Sequence, residues 1–108
     1  MKPNMQQAMK QVQRAQAEMA RVQEELAGDT VEASAGGGMV TAVMSGDLQL
    51  KSISIDPAAI DPDDVGMLED MVTAAVNEAL RSAQDLANRK MSSVVGGLGL
   101  PGGMPGMF

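Results

Sequence analysis

With 108 residues, no Cys, His, Tyr or Trp and a single aromatic, Phe108, the chain has room for one small domain with an aliphatic, methionine-rich core. The same absences remove the usual general base near neutral pH, the thiolate nucleophile and the imidazole and thiolate metal ligands, so catalysis is not expected and no cofactor or metal is called for. The formal charge of −6 seems to exclude a polyanionic partner, but residues 1–23 carry Lys2, Lys10, Arg14 and Arg21 against Glu18 alone, while residues 24–88 carry thirteen acids against Lys51 and Arg81 and are followed by Arg89 and Lys90, so basic ends sit on an acidic body.

The first element is a helix from about Asn4 to Ala27. Asn4 after Pro3 can cap it, and Gly28 supplies the backbone freedom of a helix end. Met5, Met9, Val12, Ala15, Met19, Val22 and Leu26 hold a near-heptad spacing, which favours packing along another helix. Lys10, Arg14 and Arg21 fall together opposite that seam, beside Gln6 and Gln7. Their plainest reading is a solvated face, with Arg14–Glu18 and Arg21–Glu25 as i,i+4 pairs.

From Asp29 to Asp56 the period changes to two. Thr30–Ala35, Met39–Ser45 and Leu48–Ile55 read as three strands, separated by turns at Gly36-Gly37-Gly38 and Gly46-Asp47, and they form an antiparallel meander. Leu48 and Leu50 share one parity while Ile53 and Ile55 share the other, which places a bulge or bend near Lys51-Ser52. The short, weakly charged edges are available for pairing with a second subunit, and a core without aromatics gains from one.

Asp56 to Gly66 connects sheet to helix, with Asp61 as the capping acid and Pro62 in the first turn. A calcium loop is rejected because Val65 and Val72 stand at loop positions that need oxygen ligands. The second helix covers Leu68 to Met91. Leu68, Val72, Ala75, Ala79, Ala83 and Leu86 define its apolar face, which Met71, Val76 and Leu80 widen. Opposite them Asn77, Arg81, Gln84 and Asn88 form a hydrogen-bonding stripe, and Arg89 and Lys90 add charge at the far end. Residues 1–95 therefore make one domain, and Gly96–Phe108, dominated by Gly and Pro, is expected to be a disordered tail. The glycine run lacks the Lys-Ser/Thr of a phosphate loop, and no run approaches transmembrane length, which makes a soluble cytoplasmic protein the expectation.

The basic first helix, the Gly36-Gly37-Gly38-Met39-Val40-Thr41-Ala42-Val43 segment, Ile55-Asp56-Pro57, and Leu68-Glu69-Asp70-Met71 leading to Ala75-Val76-Asn77-Glu78-Ala79 together resemble the YbaB/EbfC family of bacterial nucleoid-associated proteins. The resemblance implies an α+β, α-β-β-β-α protomer, a homodimer formed mainly through the sheets, and protruding helices that act like tweezers on double-stranded DNA in the nucleoid. In such a dimer Lys10, Arg14 and Arg21 become six charges, and the release of counterions from phosphates then makes affinity steeply salt-dependent. Asn77, Arg81, Gln84, Asn88, Arg89 and Lys90 are the further candidates for DNA contact. Doubling the formal charge gives a dimer of about −12, a field that opposes DNA away from the basic helices. The competing reading is a scaffold whose exposed helices or tail dock onto replication or recombination proteins; attachment to a membrane is disfavoured, since the polar face has no dense cationic cluster.

Overall fold

The structure is a computed structural model and describes residues 5–97. Helix α1 spans Met5–Gly28, strands β1, β2 and β3 span Thr30–Ala35, Val40–Ser45 and Leu50–Ile55, a short 3-10 turn covers Pro57–Ala59, and helix α2 spans Val65–Gly97. The strands form one open antiparallel sheet in the order β1-β2-β3. This is the expected α-β-β-β-α arrangement.

Several boundaries differ from the sequence reading, each for a local reason. Gly36, Gly37 and Gly38 all adopt positive φ and Met39 completes their turn, so β2 begins at Val40 rather than Met39. The second turn is longer than Gly46-Asp47. Leu48 sits at φ 67, and buried Ser45 closes the loop, its backbone N donating to Gln49 O at 2.8 Å while its Oγ accepts from Gln49 N at 3.1 Å and donates to Asp47. Strand β3 therefore starts at Leu50. The expected bulge is present: Val43 faces Ser52 and Met44 faces Leu50, which leaves Lys51 as the extra residue. Asp61 caps a turn, accepting from Asp63 N at 2.9 Å, and Asp64 caps α2, accepting from Met67 N at 3.2 Å. That helix opens three residues before Leu68 and runs on through Gly96 and Gly97; residues 98–108, the rest of the expected tail, lie outside the described residues.

The core is built from small side chains at helical spacing. Ala75, Ala79 and Ala83 are fully buried against Val40, Ala42 and Met44 of the central strand, and a stripe of alanines lets the helix backbone approach the sheet closely. Val31, Ala33 and Ala35 of β1 pack against the same cluster. Helix α2 lies over β1 and β2 and leaves β3 uncovered. Ile55 and Ile53 are the register partners of Val40 and Ala42 and so share the core face, yet each is 38% exposed.

A second cluster ties the helices together at their C-terminal ends. Val22 and Leu26 are buried with Val94, flanked by Leu86, Ala87 and Met91. The β2–β3 turn docks on the end of α1 through Gly46, whose N donates to Asp29 O at 3.0 Å and where an added Cβ would lie 2.8 Å from Leu26 O. Before Val22 no residue of α1 is buried. The radius of gyration is accordingly 20.2 Å, with a longest extent of 75 Å, against about 13 Å for a compact domain of about 100 residues.

Candidate nucleic-acid interface

Helix α1 leaves the body of the molecule as an arm. Its seam residues Met5, Met9, Val12 and Met19 are 75%, 59%, 56% and 46% exposed, so the expected helix-helix packing is realised only from Val22 onward. Lys10 and Arg14 stand one turn apart on this arm, both exposed and neither in an ion pair among the described residues.

Arg21 is in a different situation. Its Nη2 lies 2.8 Å and its Nε 3.2 Å from Glu18 Oε2, and its Nη1 pairs with Glu25. The Glu18 carboxyl is held below its ordinary pKa first by the hydrogen bond from Arg21, then by the attraction of the same charge, with Arg14 adding the least; Arg21 is raised by the same partnership. The structure pairs Glu18 with Arg21, not with Arg14 as the i,i+4 spacing suggested. That choice leaves Arg14 without an ion pair among the described residues and sets two carboxylates against the single charge of Arg21.

On α2 the expected stripe is exposed at Asn77, Arg81, Gln84 and Asn88, on the side away from the sheet. Arg81 Nη1 is 2.8 Å from Glu78 Oε2, a solvent-exposed pair of small energetic weight. Arg89 is exposed and carries no ion pair among the described residues. Lys90, by contrast, is turned inward. Its Nζ lies 2.6 Å from Asp29 Oδ2 and donates to Glu25 Oε2 at 3.1 Å, and its pKa is raised, chiefly by the Asp29 hydrogen bond and then by that to Glu25. Asp29 Oδ2 is buried and has no other partner among the described residues. Lys90 thus clamps α2 to the end of α1, a role the sequence concealed because its partners lie about sixty residues away in the chain.

A surface hollow of about 590 Å³, lined by Met67, Met71 and Gly36 with Asp64 and Asp70, is unsuited to phosphate because its charged groups are carboxylates. Among the described residues no cluster of acids could hold a metal ion, and no helix is long and apolar enough to cross a membrane.

Comparison with known proteins gives this arrangement a context. Residues 1–98 match the model of the YbaB/EbfC DNA-binding family. A nucleoid-associated protein of Ruminiclostridium cellulolyticum is 50% identical over 105 residues, covering 97% of this chain and 89% of the relative. Nucleoid-associated proteins of Acetivibrio thermocellus and Saccharopolyspora erythraea are each 52% identical over 105 residues, covering 97% of this chain and 90% of theirs. The crystal structure of the uncharacterized protein HP0035 from Helicobacter pylori superimposes with a TM-score of 0.71 at 20% identity, covering 85% of this chain and 95% of that one, and so shares the fold.

Proposed function

This chain belongs to the YbaB/EbfC DNA-binding family, and from that premise we propose that it is a nucleoid-associated protein that binds duplex DNA as a homodimer, chiefly through phosphate contacts from the α1 arm. The observation that carries the reading is the pair Lys10 and Arg14, exposed and unpaired on a helix projecting from an otherwise acidic body. Arg21 contributes less, since it must leave Glu18 and Glu25 to reach a phosphate. Asn77, Gln84, Asn88, Arg81 and Arg89 provide secondary polar contacts on α2, and Lys90 serves as a structural clamp rather than a DNA ligand.

The dimer is supported by strand β3. Leu50, Ile53 and Ile55 lie on the core face of the sheet without a helix above them, at 46%, 38% and 38% exposure, and a second copy laid against that face would complete the core. Two-fold symmetry then presents two arms that together carry four unpaired cations, Lys10 and Arg14 of each copy, which predicts a log affinity against log salt slope of about −3 to −4 for the arms. Analytical ultracentrifugation of Ile53→Asp with Ile55→Asp should give folded monomers; a persistent dimer would remove β3 from the interface. Duplex binding that is competed away by salt supports the DNA reading, whereas its absence at low salt alongside nuclease-resistant capture of replication or recombination proteins would favour the scaffold reading.

A further inference from the structure

Glu18 stands between two arginines and takes only one of them. Arg14 is four residues before it and Arg21 three after it, so one carboxylate has two guanidinium groups within helical reach. It accepts from Arg21 Nη2 at 2.8 Å and from Arg21 Nε at 3.2 Å, both on the same oxygen, Oε2. Arg14 is left exposed, with no ion pair among the described residues, yet close enough for its charge to act on the Glu18 carboxyl. The preference has two physical causes. A helical pair with the acid N-terminal to the base, as in Glu18 and Arg21, is the better order, and Arg14 offers the reverse. Arg21 is also fixed from behind. Its Nη1 pairs with Glu25, whose other oxygen accepts from Lys90 at 3.1 Å, and Lys90 Nζ is itself held 2.6 Å from Asp29 Oδ2. A line of ion pairs thus runs from the packed end of α1 out to Glu18.

The geometry points to Arg21 as a positioning residue for DNA contact: by occupying Glu18 it keeps the Arg14 guanidinium open to a phosphate. This rests on the reading of α1 as the phosphate-contacting arm, and it gives Arg21 a task there that needs no contact with DNA. Removing Arg21 separates the two roles. If Arg21 touched phosphate itself, its loss would subtract one contact per arm, and nothing done to Glu18 would return it. If Arg21 keeps Glu18 occupied, its loss hands Glu18 to Arg14, and moving the acid out of reach returns the contact. Position 16 is where to move it. Gln16 is exposed and lies two residues from Glu18, on the other side of the helix. Its neighbours three and four residues away are Val12, Gln13, Met19 and Ala20, none of them a cation.

Fluorescence anisotropy of a labelled duplex across a salt series tests it on the wild type, R21Q and Q16E/E18Q/R21Q, the two variants having the same net charge. At about 0.1 M salt R21Q should bind at least about fivefold more weakly, with a log–log slope shallower by about 1 to 2, since one arginine per arm has been masked. Q16E/E18Q/R21Q should return to within about twofold of the wild type. Unchanged binding by R21Q overturns the inference, as does a loss that the relocated acid fails to repair. A wild type that does not bind at low salt removes the DNA reading, and the inference with it. NMR titration of the Glu18 carboxyl gives a readout without DNA. In R21Q the carboxyl should stay below its ordinary pKa, because Arg14 takes over, and should reach that value only in R14Q/R21Q. An ordinary pKa in R21Q alone overturns the inference whatever the duplex does.

Discussion

The two ends of α1 carry the same apolar spacing and meet different environments. From Val22 to Asp29 the helix is fixed three ways: Val22 and Leu26 are buried with Val94, Gly46 docks against Leu26, and Lys90 bridges Glu25 and Asp29. From Met5 to Met19 it has no buried residue. A heptad pattern therefore records which side of a helix is apolar, and a separate fact, the length of whatever packs beside it, decides how much of that side is covered. In this protein α2 supplies cover for two turns only. The packed end sets stability and the bare end is left for contact.

Substitutions at the packed end should break that division most sharply. Leu26→Ala empties a fully buried site between two helices and a turn, and it should cost about 2–4 kcal/mol of unfolding free energy. Chemical denaturation followed by circular dichroism measures it. Gly46→Ala comes next, because the new Cβ meets backbone atoms of Leu26 at 2.8 and 3.1 Å, and backbone cannot swing aside. A loss of about 1–3 kcal/mol is expected by the same assay.

Lys90→Met has a smaller effect with a distinctive pH signature. The folded state raises the Lys90 pKa, so its contribution is fully present below the ordinary lysine pKa and is lost as pH rises through the raised value. The wild-type melting temperature should exceed that of the variant at neutral pH and the two should converge in strong alkali. A constant difference across that range would mean that the clamp acts through packing of the lysine stem. Lys10→Glu with Arg14→Glu, at the bare end, should change stability least of all, by under about 0.5 kcal/mol.

The sequence made the element order, the glycine turn and the bulge at Lys51 legible because each is encoded locally, by positive-φ demand or by a switch in side-chain parity. Leu48 was misplaced into β3 since nothing in its residue type announces a left-handed conformation. The Asp64 cap was hidden among three nearby acids of equal propensity. At the candidate interface, periodicity put Lys10, Arg14 and Arg21 on one face but could not tell which were occupied. Glu18 is four residues from Arg14 and three from Arg21, both permitted by helix geometry, and only the fold reveals that it goes to Arg21. The ion pairs of Lys90 are illegible in the sequence for a related reason, since a lysine after an arginine at a helix end looks exposed until Asp29 and Glu25 arrive from another element.

The claim that the unpaired cations of the bare arm hold DNA is tested most directly by fluorescence anisotropy of a labelled duplex across a salt series, with Lys10→Glu/Arg14→Glu beside the wild type. The wild type should give a slope of about −3 to −4, and the variant should lose at least about 100-fold in affinity at 0.1 M salt together with most of that slope. An unchanged slope and affinity in the variant, with its melting temperature intact, would contradict the account and move the DNA contact off α1.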